Sequence, residues 1–123
     1  TLLALTGSRQ KVPRGVDGIS IANALLGKRQ PPRPFLYREF SGYGGQQAVW
    51  MGRWKGIRQR LSRPNNPNRL KIELYDLEAD IAESTDVAAR HPDVVARIRD
   101  LMTREHRSSK LFPIKALDRS DLR

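Results

Sequence analysis

Two histidines, His91 and His106, and no cysteine are what this 123-residue chain offers for nucleophile-and-base chemistry. Hydrolysis through a covalent intermediate needs a nucleophile beside a base. The absence of cysteine removes a thiol nucleophile, zinc–thiolate sites and disulfides. His91 precedes a proline and reads as a helix cap, and His106 reads as a solvent-facing residue near the end of the same helix. The acids of "EADIAESTD" (78–86) suggest a cation loop, but the Asp-x-Asp-x-Asp-Gly spacing and its bend glycine are missing. A solvated turn with acids at a helix start fits better. The glycines of "SGYGGQQ" (41–47) lack the Gly-Lys-Ser/Thr ending and the following helix of a phosphate cradle. They read as a hairpin loop, whose aromatic and amide groups also suit a pocket rim.

A second chemistry is written in the interleaving of rings and cations. Tyr37, Phe40, Tyr43, Trp50 and Trp54 alternate with Arg38, Arg53, Lys55 and Arg58, as on a surface that stacks bases and neutralises phosphates. The competing reading makes Trp50 and Trp54 packing residues of a small sheet, and it is preferred.

The elements that must position these residues follow from the pattern. "TLLALT" reads as the end of an apolar helix stopped by Gly7. "VDGISIANALLGK" carries an Asp-Gly turn and a two-turn helix closed by Gly27 at the C′ position. "KRQPPRP" (28–34) reads as a linker. Strands are expected at "FLYREF" (35–40), "QQAVWM", "RWKGIRQRL" and "LKIELYDL" (70–77), with a tight turn at Gly52. In the last of them Leu70, Ile72 and Leu74 share one face. After the acidic loop, Pro92 at the first helical position and Asp93 in the first turn start a helix of about four turns. Its stripe of Val94, Val95, Ile98, Leu101 and Met102 needs a sheet or helix to cover it. The tail "SSKLFPIKALDRSDLR" has one apolar patch, Leu111 to Ile114, and is otherwise expected to be extended. The sum is an α+β fold, a small four-stranded, mostly antiparallel sheet with one long C-terminal amphipathic helix packed on a face.

Charge is unevenly distributed. The net charge is +10, yet residues 28–71 alone hold eleven Lys or Arg against one acid, Glu39. Residues 72–100 hold eight acids against three arginines. Such a basic block can meet a polyanion, or it can be neutralised within the fold by the acidic segment; both readings stand at this level. No apolar run approaches the roughly 18 residues of a membrane span, so no membrane partner is expected. "TLLALTGSRQ" is too short for a secretory h-region. The chain opens on threonine, which points to processing or to excision from a longer sequence.

Four motifs in order carry a resemblance. "VPRGVDGIS", "ALLGKRQPPRPFLYREF", "QQAVWMGRWKGIR" and, most specific, "ELYDLEADIAESTDVAARHPDVVARIRDLM" together resemble the C-terminal subdomain of type I, formylglycine-dependent, arylsulfatase-like sulfatases of the alkaline-phosphatase-like superfamily. The resemblance implies that residues 1–16 are a remnant of the last helix and connector of the large sulfatase domain. Residues 17–123 would be the subdomain, with 28–34 as linker and 110–123 as tail. It implies a parent enzyme that hydrolyses sulfate esters, and a piece that is inactive alone. The formylglycine nucleophile and calcium are expected in the large N-terminal domain, with a sulfated anionic substrate and a periplasmic or extracellular location. Ser62-Arg63-Pro64-Asn65-Asn66 mimics the nucleophile motif but has Asn66 where arginine is required. Many relatives carry arginine where this chain has Trp50. The substrate-binding residues expected at the pocket rim are Glu39, Tyr43, Gln46 and Gln47, then Arg53 and Lys55. The runner-up is a free-standing basic nucleic-acid-binding module, with nucleic acid the disfavoured partner.

Overall fold

A computed structural model describes residues 1–16 and 18–118. The expected Asp-Gly turn includes Asp17 and the tail extends through 119–123, so those parts lie outside the described residues. The chain divides into two compact units, Thr1–Arg33 and Pro34–Arg123, the division falling inside the proline-rich stretch.

The first unit contains two single-turn helices, α1 (Leu2–Leu5) and α2 (Ala22–Leu25). Each ends as its sequence predicts. Gly7 and Gly27 take left-handed φ angles of 66° and 68°, and the amides just beyond them, Ser8 and Lys28, donate back to Leu3 and Asn23 carbonyls. That return bond satisfies carbonyls that the helix end would otherwise leave open.

The second unit is a four-stranded antiparallel meander in the order β1 (Leu36–Phe40), β2 (Gln46–Met51), β3 (Trp54–Gln59), β4 (Glu73–Asp76). The β2–β3 connection is a two-residue turn in which Gly52 has φ 59°. Glycine at the first central position suits a type II′ turn, whose twist matches that of the strands it joins. The 14-residue helix α3 (Pro92–Glu105) follows a short 3-10 turn, Ala88–Arg90.

Register decides which side chains α3 covers. Tyr37 pairs with Val49, Val49 with Gly56, and Gly56 with Leu74, so these four share a face. Val49, Leu74, Ile98 and Met102 pack there into a core with Ile72, Val87 and Val94. Fully burying each such side chain contributes about 1.5–3 kcal/mol. Gly56 is where the helix crosses: a Cβ there would sit 2.6 Å from Cγ2 of Ile98. The predicted stripe is thus the buried one, Val94, Ile98 and Met102 fully, Val95 and Leu101 in part.

Three expectations are corrected. His91 occupies the N-cap position but its side chain makes no capping bond; its ring packs on Trp54, centroids 4.7 Å apart. His106 does not face solvent. It is largely buried between Glu39 and Asp118. Within the tail, Ile114 and Ala116 are buried against Leu61, with Leu70 and Leu117 beside them, and the Leu117 and Asp118 amides close a turn on the Ile114 carbonyl. Apolar spacing placed the patch at Leu111 to Ile114, but Leu111 and Phe112 are exposed and Ile114 alone is covered.

The acidic segment is architectural. Asp80 accepts from the Ser84 and Thr85 amides at 2.8 Å each, and these bonds hold its carboxyl below the usual carboxylate range. Asp86 accepts from the Leu74 amide at 3.0 Å and the Ala88 amide at 2.9 Å, tying the loop to β4 and starting the 3-10 turn. Lys55 meets Glu83 and Lys71 meets Asp86, while Arg53 meets Asp76 and Glu78. Basic strands and acidic loop therefore neutralise one another directly.

Candidate functional site

The β1–β2 loop, residues 41–45, departs furthest from ordinary backbone. Tyr43, Gly44 and Gly45 have φ angles of 50°, 84° and 80° in succession. Two glycines suit such a run, but a tyrosine in the left-handed region costs roughly 1–2 kcal/mol that its surroundings must offset. Tyr43 is 87% exposed, and its ring centroid lies 5.9 Å from that of Phe40. Gly42 lies against the same ring, since a Cβ there would come within 2.6 Å of Phe40. The Gly45 amide closes the turn on the Gly42 carbonyl at 2.9 Å, and Leu61 and Ser62 donate to Gly45 and Gly44 carbonyls at 3.1 and 2.7 Å.

Directly below the loop, on the helix side of the sheet, lies a polar network. Gln47, only 1% exposed, donates through Nε2 to the Met102 carbonyl at 3.1 Å and to the Tyr37 hydroxyl at 2.9 Å. Its Oε1 accepts from Arg58 Nη1 at 3.0 Å, and Arg58 Nε donates to the Leu70 carbonyl at 3.0 Å. The Tyr37 hydroxyl donates to Glu39 Oε1, which also meets His106 Nδ1 at 2.6 Å. His106 Nε2 lies 3.2 Å from Asp118 Oδ1. Strand alternation explains the assembly: Tyr37 and Glu39 are two residues apart on β1, and Glu39, Gln47 and Arg58 are cross-strand neighbours.

Electrostatics limits what this network does. Burial, reinforced by the Glu39 carboxylate, pushes the Tyr37 phenol far above its ordinary range, so it stays a neutral donor. Burial also pulls the Arg58 guanidinium down, helped by the nearby Arg99 charge. On the opposite face Tyr75 is pushed up to about 12 by burial and by Glu73, which removes it too as a phenolate. His106 separates Glu39 from Asp118, and among the described residues no three His, Cys, Asp or Glu side chains converge as metal ligands. The network's chemistry is positional: every polar group named here holds another in place.

The six expected rim residues fall in four places. Glu39 and Gln47 join in the network under the loop, 3.4 Å apart at their nearest polar atoms. Tyr43 stands at the loop tip. Gln46 and Lys55 alternate to the face away from α3, where Lys55 Nζ bonds both Glu83 oxygens at 2.6 Å and lies 5.2 Å from the Trp50 ring centroid. Arg53, in the β2–β3 turn, is bidentate to Asp76, which raises its pKa and lowers that of Asp76. Sequence reasoning missed Tyr37, Arg58, His106 and Asp118 as members of the network. Gln47 carried the available signal, being a polar residue in phase with Val49 and Met51 on the apolar side of its strand. Ser62 is confined beside Gly45, 2.9 Å from where a Cβ would stand, and the next described element after it is strand β4 rather than a helix.

This sheet-and-helix arrangement recurs in sulfatases. It aligns with a sulfatase from Bacteroides thetaiotaomicron, solved in work on that organism's metabolism of multiple glycosaminoglycans, at TM-score 0.61 and 29% identity, covering 81% of this chain and 22% of that one. A crystal structure of a sulfatase from Bacteroides thetaiotaomicron VPI-5482 aligns at TM-score 0.64 and 27% identity, covering 82% and 22%. By sequence, the chain is 30% identical over 87 residues to an N-acetylgalactosamine-6-O-sulfatase of the same species, over 65% of this chain and 17% of the relative. No protein-family profile matches the chain. The chain is a sulfatase homologue, as its four motifs implied, and it spans about a fifth of the length of the relatives it matches.

Proposed function

We propose that this chain is the C-terminal subdomain of a sulfatase whose full-length parent hydrolyses sulfate esters. The homology carries the reading: sequence and fold both match sulfatases, and both matches cover only a small part of them. In this reading the chain packs on a large N-terminal domain and brings loop 41–45 to the rim of the substrate pocket. Tyr43, exposed at the tip, meets substrate, and Glu39 and Gln47 hold the loop's base. The aldehyde hydrate of a formylglycine and a calcium ion supply the displacement chemistry from the large domain. A 6-sulfated N-acetylhexosamine is the first substrate to test, because the curated relative acts on N-acetylgalactosamine 6-O-sulfate.

The coding sequence upstream of Thr1 tests this directly. A Cys/Ser-x-Pro-x-Arg motif is expected there, and a stop codon immediately before Thr1 overturns the reading. The nucleic-acid alternative has lost much of its footing. Arg53, Lys55 and Lys71 are paired with carboxylates and Arg58 is buried, which leaves fewer cations for phosphates. Weak retention on single-stranded nucleic acid at low salt is expected; tight retention that falls steeply with salt would revive it.

A further inference from the structure

Loop 41–45 holds Tyr43 in a left-handed backbone that a tyrosine does not favour, and two lines of contact lead from it to one C-terminal segment. The first starts at the loop's base. Phe40 and Gln46 are the last paired residues before the loop, and the next pair inward is Glu39 with Gln47. Glu39 is held by His106 at 2.6 Å, and Gln47 by the Met102 carbonyl at 3.1 Å, at the C-terminal end of α3. The second line starts at Gly45. Its Cα faces Ser62 and Leu61, with 2.9 and 3.2 Å left for a Cβ, and Leu61 packs on Ile114 and Ala116. The segment from 106 to 118 is itself closed into a ring, because His106 Nε2 meets Asp118 Oδ1 at 3.2 Å.

We infer that residues His106–Asp118 form a strap that holds loop 41–45 in its displayed conformation, with His106 as the buckle between Glu39 and Asp118. The buckle is sensitive to protons. An imidazole ring carries two N–H groups only as the imidazolium; the neutral ring carries one. Both ring nitrogens here face carboxylates, so the cation donates to both, and the neutral ring leaves a lone pair against one of them. The groups facing His106 are Glu39, with Tyr37 bonded to the same oxygen, from β1, and Asp118 from the strap. Gln47 and Arg58 stand behind Glu39 from β2 and β3; Arg104, Glu105 and Arg107 belong to the neighbouring helix end, where Arg104 and Glu105 pair with each other and Arg107 bonds the Arg104 and His106 carbonyls. His106 is a positioning residue: it acts on Tyr43 through Glu39 and the strap. Its value for substrate binding rests on the rim reading above, but its effect on the loop does not.

Amide hydrogen exchange on the 123-residue chain separates the two. The amides of Gly45, Leu61 and Ser62 report the loop, and the amide of Ile98 reports the helix core. In His106→Ala the loop amides are expected to exchange at least tenfold faster while Ile98 is little changed, with His106→Gln intermediate. In the unsubstituted 123-residue chain, loop protection is highest where the ring holds both protons and declines as pH rises and one is lost. Asp118→Asn, a milder change, is expected to flatten that decline, since an amide can serve the neutral ring as donor. Loop protection unchanged in both His106→Ala and Asp118→Asn, with Ile98 protected throughout, overturns the strap. Independence of loop protection from pH while an NMR titration of the His106 ring is complete overturns the buckle. Neither result bears on whether the parent hydrolyses sulfate esters.

Discussion

Gln47 shows how one side chain can matter without touching a substrate. It sits at 1% exposure on the apolar side of β2, satisfied on both ends by Met102, Tyr37 and Arg58. Replacing it by alanine strands a buried guanidinium donor, a phenol and a carbonyl, and an unsatisfied buried polar group costs about 1–3 kcal/mol. Gln47→Ala is therefore expected to lose about 2–3 kcal/mol in urea unfolding; a loss below half a kcal/mol would mean that water replaces it freely. Gly56→Ala tests the opposite fault. The added methyl meets Ile98, which is fully buried and has nowhere to move, so about 1–3 kcal/mol of overpacking is expected in the same assay. At this scale the sequence was least legible. The sequence reading sets Gln47 at a pocket rim, whereas it is buried under the loop; its partner Met102 lies 55 residues away and His106 lies 67 from Glu39. Neither separation leaves a local trace.

Elements were read more fully, because their signals are local. The strand alternation, the Gly52 turn, the Gly7 and Gly27 helix ends and the α3 stripe all rest on signals within a few residues, and each is present, although β4 covers only Glu73–Asp76 of the expected 70–77 and α2 makes one turn where two are expected. The tail was misread for the reason that the network was missed: Ile114 and Ala116 are held by Leu61, which periodicity in the tail cannot reveal. The acidic loop carries its own pH dependence. Asp80 and Asp76 have carboxyls held below their ordinary value of 3.8, by backbone amides and by Arg53 respectively. A lowered folded-state value stabilises above the unfolded value, and that contribution is lost as pH falls through the lowered one. Asp80→Asn should thus be less stable than the unsubstituted chain at about pH 6, with the gap narrowing as pH falls below 3.8. A gap of equal size at both pH values would show that the carboxylate's charge plays no part.

For the whole molecule, the reading proposed above makes the chain a supporting piece of a larger sulfatase. Its sheet, helix and strap converge on loop 41–45, and the titratable groups beneath that loop, Tyr37, Glu39, Arg58, His106 and Asp118, are bonded within one network. The strap and the polar network account for why a chain with this charge excess keeps its single acid in the basic block, Glu39, at the base of that loop. Sulfate release is the most direct measurement of the central claim. It should be followed from a 6-sulfated N-acetylhexosamine by the full-length gene product and by the 123-residue chain in parallel. The full-length protein, with its nucleophile converted to formylglycine and calcium supplied, is expected to release sulfate, and the chain alone to release none. Sulfate release by the isolated chain would contradict the account, as would a full-length product that carries the motif and releases no sulfate from any sulfate ester.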